Sequence, residues 1–212
     1  VTDGRDTSPT GGADFLETVA RAVEPFGAKI LTIVGRYHAM DRDRRWDRSK
    51  IGWDAMVLGR GKDCTGHTPA DAVRAQYAQG TTDEFLPALI LEEPGRQRIA
   101  DGDVVLCFNF RSDRARQISQ AFLVPGFDGF DREVCPRVHY VTLTEYDKTY
   151  TCPVVFPPQS HARILAQVAS EAGLTQLRIA ETEKYAHVTY FFNGGVENAY
   201  PGERREIIPS PK

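Results

Sequence analysis

The chain has 212 residues, of which 41% are hydrophobic and 26% charged, and its net charge at pH 7 is −3. These values are typical of a globular protein that can bury a substantial core. The acidic balance argues against nucleic acid as a partner, because a nucleic-acid-binding domain is normally basic. No apolar run approaches the ~20 residues that span a bilayer, which argues against a membrane partner.

The two ends of the sequence suggest a fragment of a longer protein. The chain begins at Val1 within a charged motif and stops shortly after an apolar, strand-like run. Its cysteines form no CxxC pair and have no zinc-type spacing, so we expect a reducing, cytoplasmic setting. The cysteines are Cys64, Cys107, Cys135 and Cys152.

Helices and apolar strands alternate along residues 12–147. The first helical pattern, residues 12–27, closes with Pro25 and Gly27, and a β-branched run follows it. Continuous apolar strands between helices predict an α/β fold with a mostly parallel sheet covered by helices on both faces. Strands are predicted at 28–34, 101–110 and 137–147, and further helices at 48–59, 68–80 and 112–123.

The proline-rich stretch TCPVVFPPQS, residues 151–160, breaks this alternation and predicts an extended connector. After it, residues 160–173 predict an amphipathic helix and residues 174–180 a short strand. Residues 181–195 fit either a helix or a strand after a turn. The predicted organisation is a first domain at 1–151, a linker at 152–160 and part of a second domain at 161–212.

Arginine and aspartate follow the ends of several predicted strands. The chain opens with Arg5 and Asp6, the strand at 28–34 leads into Arg36, and the strand at 101–110 leads into Arg111. In an open α/β sheet the carboxyl ends of the strands form the ligand crevice, so we expect five guanidinium groups to face one region. The five are Arg5, Arg36, Arg42, Arg111 and Arg114.

A cluster of arginines needs negative partners, because two like charges ~4 Å apart repel by roughly 4 kcal/mol near a surface. These partners have two explanations. Neighbouring aspartates could neutralise the arginines in solvated ion pairs worth ~0–1 kcal/mol each. Alternatively, the arginines could form a pocket for a small polyanion that carries a carboxylate, a phosphate or both. In that case Asp6 is a candidate to orient a substrate hydroxyl. The aspartates concerned are Asp6, Asp41, Asp43 and Asp113.

Other catalytic patterns are weak. The sequence has no G-x-S-x-G nucleophile elbow, and residues 59–66 lack the glycine and lysine spacing of a phosphate-binding loop. Glu183 and His187 stand four residues apart and could share a helix face as metal ligands, but no third ligand accompanies them.

Several blocks, in order along essentially the whole chain, resemble the cofactor-independent phosphoglycerate mutases. ETEKYAHVTYFFNGG, residues 181–195, and GRYHAMDRDRRW, residues 35–46, are each long enough to be specific. The other blocks are TDGRDTSP, TDEFLPALI, DGDVVLCFNFRSDRARQ, VTLTEYD and VVFPP.

The resemblance implies an α/β substrate-binding domain inserted into an alkaline-phosphatase-like domain, of which 161–212 forms a part. It also implies an isomerase of glycolysis that interconverts 3- and 2-phosphoglycerate through a phosphoserine. Such an enzyme uses two divalent ions, Mn²⁺ or Mg²⁺, and needs no 2,3-bisphosphoglycerate. In the matching motifs the substrate-binding positions fall on Arg5, Asp6, Arg36, Arg42, Arg111, Arg114 and Lys184.

The family's serine and metal-ligand motifs have no counterpart in this sequence. We therefore expect no catalytic or metal-binding residue in the chain and no activity from it alone. We also expect a monomer whose missing phosphatase-like remainder leaves apolar surface exposed on 161–212. Two other interpretations are a stand-alone anion-binding module and a phosphopentomutase or another metal-dependent phosphatase relative, which should lack the blocks at 35–46 and 108–116.

Overall fold

The computed structural model describes residues 1–159 and 161–210, which form an α/β fold of two compact units, Val1–Pro157 and Pro158–Lys212. The helices in the described residues are α1 (Gly12–Val23), α2 (Arg36–Ala39), α3 (Trp46–Leu58), α4 (Pro69–Tyr77), α5 (Ser112–Leu123) and α6 (Leu165–Glu171). The strands are β1 (Thr32–Ile33), β2 (Lys62–Asp63), β3 (Leu89–Ile90), β4 (Val104–Cys107), β5 (His139–Thr144), β6 (Val154–Phe156), β7 (Gln176–Glu181) and β8 (Glu203–Ile208).

The first sheet of the first unit has the order β1-β3-β2 and lies in the main core. Its central strand β3 is antiparallel to β1 and parallel to β2. Both residues of β3, Leu89 and Ile90, are fully buried, and Leu89 packs in one core cluster with Ile33 and Val73. The apolar run at 28–34 is therefore a core strand, as predicted, although regular pairing with β3 covers only two of its residues.

The second sheet of this unit, β4-β5-β6, is entirely parallel. Helix α5 covers one face, where the hydroxyl groups of Ser119 and Tyr140 lie 2.9 Å apart. On the other face Val104 and Leu106 remain 71% and 50% exposed, and Phe108 just beyond them is 80% exposed. The α/β class and the mostly parallel pairing are thus confirmed, but the strands form separate small sheets, and the second sheet has helical cover on one face.

Local signals placed several elements correctly. Helix α5 has the predicted bounds, and Thr68 caps α4 because its hydroxyl accepts a hydrogen bond from the amide of Asp71. The proline-rich stretch at 151–160 differs from the predicted connector, since residues Val154–Phe156 pair with β5 as the edge strand β6. Prolines flank this strand, where their missing amide hydrogen costs no ladder bond.

The second unit contains α6 and a parallel pair, β7 and β8. Residues 181–195 adopt the helical one of the two predicted options, as a 3₁₀ turn at Thr182–Lys184 followed by a π-helical turn at His187–Phe191. The side chains of β7 alternate, so Leu177 and Ile179 are 56% and 54% exposed on one face. This unit therefore carries the exposed apolar surface that the sequence predicted.

Among the described helices, none has the length and apolar character required to cross a membrane.

Candidate functional site

A cavity of about 380 Å³ in the first unit collects the basic residues that the sequence singled out. Six arginines line it, together with three carboxylates and two aromatic rings. Four of the five predicted arginines belong to this lining, which confirms that they converge. The lining residues are Arg5, Arg36, Arg42, Arg45, Arg48, Arg114, Asp41, Asp43, Glu84, Tyr37 and Phe85.

A larger groove of about 630 Å³ lies between α1 and α4, but it offers no comparable excess of one charge. Its cations have carboxylate partners on the groove itself or beside it. Lys29 binds Glu92 at 2.8 Å, and Arg74 binds Asp14 at 3.1 Å. We therefore take the smaller, arginine-lined cavity as the candidate site.

Glycine positions Arg5 and Arg36 on one side of the cavity. Gly4 and Gly35, which precede these arginines, both pack against the backbone near Glu84. A Cβ atom on Gly4 would lie 2.6 Å from the Glu84 amide nitrogen, and one on Gly35 would lie 2.4 Å from the Glu84 carbonyl oxygen. Since nothing larger than glycine fits there, the two chain segments can approach closely and present adjacent arginines.

Two carboxylates balance the charge of Arg36 in the cavity. Its side chain is 7% exposed, and its Nη1 atom donates to a carboxylate oxygen of Asp3 and, at 2.8 Å, to one of Asp6. Burial opposes its charge, but these two hydrogen bonds raise the pKa of Arg36 above its ordinary value. Asp6, predicted to orient a hydroxyl, is therefore a partner of Arg36 in this structure.

Arg42 and Arg111 share one carboxylate at the start of α5. Arg42 Nη1 lies 2.8 Å from Asp113 Oδ2, and Arg111 Nε lies 2.8 Å from Asp113 Oδ1. Burial acts to raise the pKa of Asp113, but hydrogen bonds from Arg111 and Arg42 lower it below its usual value. Arg111 is thus connected to the cavity through Asp113 rather than being part of its lining.

Arg114 has no carboxylate partner among the described residues. Its Nη1 atom donates to the carbonyl oxygen of Met40 at 3.1 Å, while its buried Nε atom has no hydrogen-bond partner in the described part of the chain. Burial and the nearby charges of Arg42 and Arg36 lower the pKa of Arg114. An anion in the cavity would relieve this repulsion, and Arg114 would bind it by charge-assisted hydrogen bonds, which are the strong ones.

Two aromatic rings and two arginines of the cavity were not predicted from the sequence, namely Tyr37, Phe85, Arg45 and Arg48. The guanidinium carbon of Arg48 lies 3.8 Å from the centre of the Tyr37 ring, and the Phe85 ring lies 5.1 Å from that of Tyr37. Arg45 binds Asp43 at 2.7 Å. The dense run DRDRRWDR was the available signal, because residues three or four apart on the following helix share a face.

Convergence of the arginines has a different cause from the predicted one. We expected the strands before Arg36 and Arg111 to end at one edge of a single sheet, but β1 and β4 belong to separate sheets. The arginines meet because Thr2 pairs in parallel with Gly35, and because α5 is hydrogen-bonded to the segment that follows α2. Contacts between loops and helix ends therefore build the site.

Lys184 and the weak metal pair lie in the second unit. Lys184 is exposed at the end of the 3₁₀ turn Thr182–Lys184. The side chain of Glu183, the predicted partner of His187, lies outside the described part of the structure. Within the described residues, no three His, Cys, Asp or Glu side chains group closely enough to hold a metal ion.

Comparison with known proteins gives a family for the chain. Residues 1–148 match the family model described as the N-terminus of BPG-independent phosphoglycerate mutase. A 2,3-bisphosphoglycerate-independent phosphoglycerate mutase from Akkermansia muciniphila is 61% identical over 212 residues, which are 100% of this chain and 41% of that relative. One from Methanosarcina acetivorans is 50% identical over 214 residues, covering 99% of this chain and 41% of that relative.

A solved structure agrees with these matches. It is a crystal structure of Leishmania mexicana phosphoglycerate mutase at low cobalt concentration, with a TM-score of 0.68 and 32% sequence identity. The match covers 99% of this chain and 41% of that protein. The chain thus spans about two fifths of the length of the proteins it resembles.

Proposed function

Because the chain belongs to the BPG-independent phosphoglycerate mutase family, we propose that it is the substrate-binding part of a longer mutase. This enzyme interconverts 3-phosphoglycerate and 2-phosphoglycerate through a phosphoserine formed on a serine outside this chain. The observation that carries the proposal is Arg114, a cation that has no carboxylate partner among the described residues and lies in a cavity lined by six arginines and three carboxylates. A phosphoglycerate supplies both a carboxylate and a phosphate to such a site.

The arginines on α5 have the main role in holding the substrate. We assign Arg114 and Arg111 to the substrate carboxylate, which a guanidinium can bind through two parallel hydrogen bonds. Arg111 reaches the substrate by leaving Asp113, with which it forms a solvent-exposed pair. Arg42 is released from Asp113 in the same way and, with Arg5 and Arg36, neutralises the remaining charge of the substrate.

Asp6 and Lys184 complete the proposed substrate-binding set. Asp6 loosens its ion pair with Arg36, which stays paired with Asp3. Asp6 then accepts a hydrogen bond from a glycerate hydroxyl. Lys184 supplies a compact positive charge to the phosphoryl oxygens. Such a grip lets the glycerate change orientation at the phosphoserine without leaving the site, which keeps the second phosphoryl transfer effectively unimolecular.

We place the divalent ions, Mn²⁺ or Mg²⁺, and their ligands outside this chain, because no set of its described residues fits a metal. We assign no step of this chain to a metal. We further propose a cytoplasmic, monomeric glycolytic enzyme that needs no added 2,3-bisphosphoglycerate.

The test uses the full-length protein that carries this chain, supplied with Mn²⁺ and 3-phosphoglycerate but with no 2,3-bisphosphoglycerate. We expect ³¹P NMR to show conversion to an equilibrium mixture of the two phosphoglycerates. Failure to interconvert them with either Mn²⁺ or Mg²⁺ would overturn the proposal. A stand-alone anion-binding module predicts a different result, namely calorimetric binding of phosphoglycerate without interconversion.

A further inference from the structure

We propose that Gln117 is a positioning residue that fixes the separation of Arg42 and Arg114 by locking α5 to the loop at 41–45. The inference rests on the proposed function, because these two arginines are assigned there to the substrate. Gln117 is absent from the cavity lining and is 5% exposed. Its effect on the substrate would therefore be transmitted through the groups that it holds.

The loop at 41–45 is folded around the buried carboxylate of Asp41, which is 4% exposed. Asp41 Oδ2 accepts hydrogen bonds from the amides of Asp43 and Arg45, each at 2.9 Å. Between them Arg44 has a φ of 58°, a left-handed conformation that is costly for a residue other than glycine. The loop thus has one fixed shape, which directs the side chain of Arg42 toward α5.

Gln117 connects this loop to α5 with both ends of its amide group. Its Oε1 atom accepts a hydrogen bond of 2.6 Å from the amide of Arg44, and its Nε2 atom donates one of 2.8 Å to Asp41 Oδ2. Nε2 also lies 3.4 Å from the hydroxyl of Ser49 on α3. A side chain at this position must donate and accept at once, which an uncharged amide does and a carboxylate does not.

The helical repeat places Gln117 one turn of α5 after Arg114 and Asp113. Gln117 is three residues after Arg114 and four after Asp113, so the three side chains share one face of α5. Displacement of Gln117 from Asp41 would therefore move Arg114 relative to Arg42. The spacing of the two guanidinium groups is what a three-carbon substrate with a carboxylate and a phosphate has to match.

Among the described residues, two other polar links between residues 40–42 and α5 cannot serve this purpose once substrate is bound. They are the Arg42–Asp113 ion pair and the hydrogen bond from Arg114 to the Met40 carbonyl oxygen. Both are made by arginines that the proposed substrate engages. Gln117 is buried and has no part in ligand binding, so its two hydrogen bonds persist while those links exchange for contacts with the substrate.

The test compares Gln117→Glu and Gln117→Leu with the wild type in the full-length protein, with KM and kcat measured at about pH 6 and about pH 8. A glutamic acid next to the Asp41 carboxylate has a raised pKa, because the two groups share a proton. When protonated it can donate to Asp41 and accept from Arg44, as glutamine does. When ionised it repels Asp41.

We expect Gln117→Glu to raise KM at least about fivefold near pH 8 and to approach the wild-type KM near pH 6, with a smaller change in kcat. Gln117→Leu should raise KM by a similar factor at both pH values. The matched control is Gln76→Glu. Gln76 in α4 is also buried, but it lies away from Asp41 and accepts a hydrogen bond from Lys62 at 3.0 Å. Its KM should follow that of the wild type.

A wild-type KM for Gln117→Glu at both pH values would overturn the inference, as would an increase that does not depend on pH. Absence of mutase activity in the wild type would instead count against the proposed function. The lock itself can then be tested by hydrogen exchange. Faster exchange of the Arg44 amide in Gln117→Leu than in the wild type supports the lock, and equal rates contradict it.

Discussion

The two sides of the arginine cavity differ in how their charge is balanced. On the Arg36 side, one arginine meets two carboxylates, Asp3 and Asp6. On the α5 side, Arg42 and Arg111 share the single carboxylate of Asp113, and Arg114 has none among the described residues. The Arg36 side is therefore a structural ion-pair network, while the α5 side carries excess positive charge that a bound anion would balance.

The largest effect that separates the two sides should come from Arg114→Met. It removes the unpaired cation, and loss of a charge-assisted hydrogen bond of about 1.5–3 kcal/mol should weaken phosphoglycerate binding by about 10- to 150-fold. The free protein should lose little stability, because only the hydrogen bond to the Met40 carbonyl oxygen is removed and no carboxylate loses an ion-pair partner. Calorimetric binding and thermal unfolding of the full-length protein measure the two effects.

Arg116→Met is the matched control for that experiment. Arg116 lies on the same helix but donates to the carbonyl oxygen of Tyr146 and is absent from the cavity lining. Its replacement should leave phosphoglycerate affinity unchanged. Equal affinity losses in both variants, or none in Arg114→Met, would contradict the assignment of the anion to the α5 side.

Arg36→Met should have the opposite balance of effects. It leaves Asp3 and Asp6 without their cation and should destabilise the protein by about 1–2 kcal/mol, less than a fully buried pair would because both carboxylates reach solvent. Urea unfolding gives this value. Adding Asp3→Asn and Asp6→Asn should recover part of the stability, and a triple variant no more stable than Arg36→Met would show that repulsion between the carboxylates is not the cause.

The smallest effect concerns pH and Asp113. Its pKa is lowered in the folded protein, so its ion pairs contribute stability that is fully present above the unfolded pKa of ~3.9 and is lost as pH falls through the folded value. At about pH 6, Asp113→Asn should therefore be less stable than the wild type, by less than about 1 kcal/mol because the pairs are partly exposed. Urea unfolding should show the gap closing below about pH 4. A gap that stays constant with pH would rule out the ion pairs as its source.

Local patterns in the sequence predicted helices better than they predicted sheets. Helix α5 and the Thr68 cap of α4 depend on neighbouring residues alone, and both were found as expected. The strand Val154–Phe156 was missed because its prolines suggested a connector, whereas its pairing with β5 depends on a distant segment. The aromatic contacts of Tyr37 were missed for the same reason, since Phe85 is far from it in sequence.

By itself, the sequence determined the family, the α/β class and the set of arginines, because these depend on residue identity and on spacing along one chain. Only the tertiary structure decided which arginine of this set has no carboxylate partner among the described residues. Asp113 can bind Arg42, which is 71 residues away, only because α5 and the loop at 41–45 pack together. Electrostatic energy depends on distance in space, and packing rather than sequence separation sets that distance.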